Sequence, residues 1–258
     1  MQGVVAAIIT PVDPAGVPDA GRLADLACDL LENGCDGLNV LGTTGEATSF
    51  SRGERGALMS EVAKAGLPMH RLVVGTGAAA TSDAVWLTRH AGELGFAGTL
   101  VLPPFYYKGV SGDGLLRYLD EIVEGSSIPL YLYNFPALSG IAWPPALVAR
   151  LIAAFPGRIA GLKDSSGDMA YAREIAAIDP ALRVFPSTEA CLLEARAGDF
   201  AGCISATANV NADLCARAFH DGDGEALATA VAIRAMFDGQ PLVAADKALV
   251  SRLRGDPA

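Results

Sequence analysis

Histidine and lysine are scarce in this chain of 258 residues, which has three of the first and four of the second. A metal-assisted enzyme gathers His, Asp or Glu at one point. His70, His90 and His220 fall in a loop, on a helical pattern and at a helix end, so no metal site is expected. Basic clusters are also missing and the formal charge is −10. That excludes nucleic acid and anionic membrane as expected partners, because phosphate binding needs concentrated Lys and Arg. The five cysteines (Cys28, Cys35, Cys191, Cys203, Cys215) are odd in number, scattered and without a C-x-x-C pair. Buried free thiols in a reducing cytoplasm are therefore expected rather than a disulfide framework. No apolar run exceeds about ten residues, half of what a spanning helix needs. The start, MQGVVAAIITPV, has no basic region and an early proline, and reads as a first strand rather than a secretory signal. A cytoplasmic location is the expectation.

What the chain does have is hydrophobic substance, at 51% of residues, and a recurring pattern. Short apolar runs lie at 4–9, 38–41, 72–74, 99–102, 130–133, 159–162, 183–185 and 202–205. They lack polar alternation, as parallel strands buried on both faces do. Segments of period near 3.6 separate them, for example Leu23, Leu26, Ala27, Leu30 and Leu31, or Ala84, Leu87, Ala91 and Leu94. Eight strand–helix units predict an α/β fold, a closed (β/α)8 TIM barrel, over residues 1–222. A doubly wound sheet is the alternative, but the first turn, TPVDPAG, lacks a G-x-G-x-x-G loop. Residues 223–258 are expected to form a short C-terminal helical appendage.

Barrel chemistry gathers at the carboxyl ends of strands. Those positions hold Thr10, GTTGE (42–46), GTGA (75–78), PPFYYKG (103–109), Tyr133 in YNFPALSG, Lys163 in AGLKDSSGD, Ser187-Thr188-Glu189, and SATANVN (205–211). Lys163 stands out because it ends an apolar run, where an ammonium is expensive to bury. Lys64, Lys108 and Lys247 occupy ordinary helical or loop positions. An amine at a barrel mouth can attack a carbonyl to form a Schiff base. It must be neutral to do so, and free lysine titrates near about 10.4, so such a site needs apolar surroundings that destabilise the ammonium by about 3 kcal/mol. A lysine paired with Asp164 or Asp168 at a loop edge is the other reading. Tyr133, one strand earlier, is placed to shuttle protons, or is a core tyrosine. GTTGE reads as an anion cradle or as a tight turn.

Together, GTTGE, GTGA, PPFYY, YNFP and GLKDSSG resemble the dihydrodipicolinate synthase / N-acetylneuraminate lyase family of pyruvate-dependent aldolases, over nearly the whole chain. The resemblance implies a lysine imine with pyruvate at Lys163 and no other cofactor. It implies a general acid/base at Tyr133 and a proton relay through Thr43 and Tyr106 (Tyr107 being the alternative) that reaches a neighbouring subunit, hence a homodimer or homotetramer. Thr44 would hold the pyruvate carboxylate, Gly45 would allow close approach, and Ile204 would offer its carbonyl beside the imine. Synthase members carry arginine where this chain has Leu138, and an aliphatic side chain cannot bind a carboxylate. The resemblance thus points to an aldehyde partner of the 2-keto-3-deoxy sugar acid type. The alternatives are condensation of pyruvate with aspartate semialdehyde, and a barrel that binds a keto acid without turnover. Ser187 and Glu189 would bind substrate hydroxyls or cap a helix. The tail is short against the family pattern.

Overall fold

The computed structural model describes residues 1–255; the last three residues of the expected tail, 256–258, lie outside it. Eight parallel strands follow one another as β1 (Gly3–Ala6), β2 (Gly37–Val40), β3 (Leu72–Gly75), β4 (Gly98–Val101), β5 (Leu130–Asn134), β6 (Ile159–Asp164), β7 (Arg183–Pro186) and β8 (Gly202–Ser205). Their order, β7-β6-β5-β4-β3-β2-β1-β8, is that of a sheet rolled up, since β1 pairs with both β2 and β8. The Ala201 N–H donates to the Val184 carbonyl at 2.9 Å and draws β8 against β7. The fold is the expected (β/α)8 barrel, and the doubly wound alternative is excluded by this closure.

A helix follows every strand. The capping chemistry that starts these helices is local: Asp19 accepts from the Arg22 N–H, Ser51 and Glu54 form a reciprocal capping box, Ser111 accepts from Gly114, and Asp168 accepts from Ala170 and Tyr171. The apolar faces read from the sequence are the buried ones. Leu23, Leu26, Ala27 and Leu30 pack inward from Ala20–Glu32, and Ala84, Leu87 and Ala91 from Thr81–Glu93. Leu31 and Leu94 lie at the edges, half-buried. After β8 come the helix Ala208–Ala216, a π-helical turn Arg217–Asp221, and the helices Gly224–Ala235 and Leu242–Arg254.

Hydrophobic side chains divide into two bodies. The larger lies between strands and helices; the smaller fills the barrel and contains Val5, Val73, Leu100, Tyr131, Tyr133, Phe185 and Ile204. Glycine makes room for its largest ring. A Cβ on Gly161 would meet Tyr131 at 2.6 Å and the Arg183 carbonyl at 2.2 Å, so the strand that carries Lys163 must be glycine there. Cys35, Cys191, Cys203 and Cys215 are buried free thiols, as expected; Cys28, on the outer face of the first helix, is exposed. Burial pushes the Cys35 and Cys191 thiols up to about 12, so neither is a thiolate near neutral pH. No helix among the described residues is long and apolar enough to cross a membrane.

Candidate active site

Lys163 sits next to last in β6, in register with Tyr133 on β5 and Phe185 on β7. Strand pleating points all three to the barrel interior. The lysine is 3% exposed, and its Nζ lies 4.6 Å from the centroid of the Tyr133 ring. The two carboxylates of the loop-edge reading are engaged elsewhere. Asp164 accepts from Asn134 Nδ2 at 2.7 Å and from Ser166 Oγ at 2.8 Å, and Asp168 caps the next helix. Desolvation, partly countered by those bonds, holds the Asp164 carboxyl above its ordinary value.

The phenol is placed as firmly as the amine. Tyr133 is 3% exposed, and its hydroxyl and the Thr43 hydroxyl are 3.2 Å apart. Trp143 donates its indole N–H to the Tyr133 carbonyl at 3.0 Å and its backbone N–H to Asn134 at 3.1 Å. Asn134 bonds Asp164 in turn, so the ends of β5 and β6 are tied together beside the amine. Thr43, Thr44, Tyr133, Phe135, Lys163, Ser165, Ser187 and Ile204 enclose a cavity of ≈ 250 Å3 at the strand ends, with Arg234 and Leu242 completing it from the C-terminal helices.

GTTGE is a strained turn. Leu41, just before it, and Glu46, its last residue, both have φ of 52°, a left-handed conformation uncommon for such side chains. Three contacts stabilise it: Thr10 Oγ1 donates to the Gly45 carbonyl at 2.8 Å, Lys247 pairs with Glu46 at 2.5 Å, and Gly75 of GTGA leaves room for the Leu41 carbonyl. A Cβ on Gly75 would sit 1.9 Å from that oxygen. Lys247, an ordinary helical lysine in the sequence, is thus a strut of the mouth. Arg55, 5% exposed, donates through Nη2 to the Gly75 carbonyl at 2.8 Å and the Gly77 carbonyl at 3.3 Å. Burial lowers its guanidinium to about 10.

Of the sequence candidates, the fold brings Lys163, Tyr133, Thr43, Thr44, Ile204 and Ser187 to one cavity. Gly45 packs on protein, not on the cavity: a Cβ there would meet the Leu41 amide at 3.0 Å and the Ile8 carbonyl at 3.1 Å. Tyr106 is 72% exposed and makes an edge contact with Tyr107, 78% exposed, while the Thr43 hydroxyl bonds Tyr133 instead. Leu138 is 62% exposed on a turn outside the cavity wall. Glu189 is buried behind the wall, where it accepts from Ser205 Oγ at 2.6 Å and from Thr207 Oγ1. The cap of that short turn is Thr188, whose Oγ1 accepts from the Ala190 N–H at 3.3 Å. Arg234 and Leu242 were not legible as site residues, because nothing in the helical pattern of the tail tells which of its turns reaches the mouth. Among the described residues no cluster of His, Cys, Asp or Glu could hold a metal ion.

Barrel and mouth define a (β/α)8 enzyme with one buried amine and one buried phenol side by side. Residues 1–239 match the model of the dihydrodipicolinate synthetase family. An "uncharacterized DapA-like lyase" of Chloroflexus aurantiacus is 32% identical over 89% of this chain and 78% of its own length. A 4-hydroxy-tetrahydrodipicolinate synthase of Methylococcus capsulatus is 34% identical, over 81% of this chain and 72% of its own. The crystal structure of YagE, a prophage protein of E. coli K12 in complex with pyruvate, superposes with a TM-score of 0.90 at 28% identity, covering 97% of this chain and 87% of that one. The chain belongs to the dihydrodipicolinate synthetase family, and with it to the pyruvate-dependent lyases.

Proposed function

We propose that this enzyme makes or breaks a C–C bond between pyruvate and an aldehyde through an imine on Lys163. The observation that carries the reading is a buried amine, with no carboxylate partner among the described residues, against a phenol whose hydroxyl is in reach of Thr43. In the condensing direction Lys163 Nζ attacks the C2 carbonyl of pyruvate. The carbinolamine loses water, and Tyr133 moves the protons that these steps require, relayed through Thr43. Thr44 holds the carboxylate of pyruvate, and the Ile204 carbonyl faces the imine. Loss of a C3 proton gives an enamine, whose carbon bonds to the aldehyde carbon while the aldehyde oxygen takes a proton. Water then releases the product and regenerates the amine. No further cofactor takes part.

The aldehyde lies toward Ser187, with a 2-keto-3-deoxy sugar acid as the product type. The relatives named 4-hydroxy-tetrahydrodipicolinate synthase favour a second reading, in which the aldehyde is aspartate semialdehyde. Leu138 offers that substrate's carboxylate nothing. Tyr106 acts in the site of a second copy, which makes the working enzyme a cytoplasmic homodimer or homotetramer. The test is Lys163→Ala, assayed with pyruvate against a panel of neutral and anionic aldehydes. Turnover is expected to fall by on the order of 10⁴-fold or more, as for loss of a covalent nucleophile. Undiminished turnover in that variant contradicts the imine.

A further inference from the structure

Arg234 is the cation of this cavity that the reaction steps above do not use. It comes from the helix Gly224–Ala235, far in sequence from every strand end, and reaches the same cavity as Lys163. Two other buried or half-buried arginines direct their side-chain hydrogen bonds to backbone carbonyls. Arg55 bonds two carbonyls of the GTGA loop, and Arg158 bonds those of Val123, Ser126 and Ile128. The Arg234 side chain bonds no backbone carbonyl among the described residues. Its hydrogen bonds run through one nitrogen only: Nη1 is 3.3 Å from Glu189 Oε2 and 3.3 Å from Ser205 Oγ. Both are long for charge-assisted contacts. Nε and Nη2 have no hydrogen-bond partner among the described residues, and the side chain keeps 33% of its exposure.

Glu189 explains how the arm is aimed. It has no exposure, and its Oε1 is held by Ser205 and Thr207 from the β8 end. A carboxylate so fixed serves as an anchor for one corner of the guanidinium. The planar fork is left facing the cavity, pre-organised for two parallel bonds to a carboxylate. The rest of the molecule makes this cation matter. With 29 acidic and 19 basic residues its overall field repels anions, so a local positive donor is needed where an anion must enter.

The geometry points to Arg234 as the anchor for a carboxylate on the far end of the second substrate, with Glu189 as its positioning residue. The site then selects aldehydes that carry an anionic group over neutral ones, so the 2-keto-3-deoxy sugar acid it forms is a diacid. This rests on the reading that pyruvate occupies Lys163 and Thr44, which leaves the Ser187–Arg234 side to the aldehyde. Two readouts separate the claims. One is binding without turnover: glutarate, a dianion with no carbonyl to form an imine, is titrated calorimetrically into wild type, Arg234→Ala and Arg234→Lys, with acetate as the monoanion control. The other is kcat/KM with pyruvate for glyoxylate against glycolaldehyde, which differ chiefly in the carboxylate.

Arg234→Ala is expected to lower glutarate affinity tenfold or more. Arg234→Lys, which keeps the charge and the counter-ion of Glu189 but loses the fork, is expected to lose several-fold. The glyoxylate to glycolaldehyde ratio should fall at least tenfold in Arg234→Ala and in part in Glu189→Gln. A structural role alone would lower stability and leave that ratio unmoved. Equal glutarate affinity in wild type and both Arg234 variants overturns the proposal. Arginine-dependent glutarate binding without a borohydride-trapped pyruvate adduct in wild type would sink the imine reading and leave the anion site standing.

Discussion

Asp246 illustrates what a single buried group does to the whole molecule. Its carboxyl has no exposure, its Oδ1 has no hydrogen-bond partner among the described residues, and its Oδ2 accepts only from Asn209 at 3.0 Å. Desolvation first, with repulsion from Glu189 added, raises its pKa from 3.8 to about 8. The folded state therefore holds more protons than the unfolded state between those values, so this group makes stability fall as pH climbs through that window. Asp246→Asn removes the effect. Chemical denaturation should find the variant more stable than wild type by a gain that grows from pH 4, reaches on the order of a few kcal/mol by pH 8, and then levels off. A constant difference across that range would contradict the assignment. At the active site, Tyr133→Phe keeps the ring against Lys163 and removes only the hydroxyl. It should leave imine formation detectable while kcat falls by about 10²–10⁴-fold, the usual size of a lost acid/base group. Lys163 and Tyr133 could be read from the sequence because each ends an apolar run, which fixes both its face and its depth. Arg234, Arg55 and Asp246 could not, since their partners lie 29 or more, 20 or more and 37 residues away.

At the scale of elements, the strands and helices were legible where one rule governs them. Apolar runs without alternation marked the eight strands, and segments of period near 3.6 marked the helices between them; the caps at Ser51 and Asp168 emerged only in the structure. The motifs between them were less transparent. GTGA reads as a flexible, glycine-rich strand end, yet Gly75 is there because the GTTGE turn occupies the space of its missing side chain. Gly75→Ala would push a Cβ into the Leu41 carbonyl, a backbone atom that cannot swing aside. The expected cost is about 2 kcal/mol or more in urea denaturation, of the order of an overpacked core, with a lowered kcat because Thr43 and Thr44 ride on the displaced turn. Unchanged stability would mean that the turn is not held where β3 demands. The segment Ser187-Thr188-Glu189 left two roles open, and the fold adds a third: Ser187 lines the cavity, Thr188 caps, and Glu189 braces Arg234.

At the scale of the whole molecule, the proposed role of Tyr106 in a second copy can be tested directly. Tyr106 and Tyr107 stand largely exposed on the loop after β4, and the Thr43 hydroxyl bonds only Tyr133 among the described residues. If Tyr106 works in a partner's site, Tyr106→Phe and Lys163→Ala should each be weak alone. Unfolded together and refolded as a mixture, they should recover up to roughly a quarter of wild-type activity, the share of intact sites that random pairing of a two-fold dimer creates. No recovery would place the relay within one chain. The barrel itself followed from the count and spacing of apolar runs. The position of the C-terminal helices over the mouth did not, because their outer faces carry no pattern that distinguishes solvent from a cavity.

The imine is tested by borohydride reduction of the wild-type enzyme with pyruvate, followed by intact mass and peptide mapping. One reduced pyruvate adduct per chain, on Lys163, is expected. Folded protein that acquires no adduct, or acquires it on Lys108 or Lys247, would contradict an imine on Lys163.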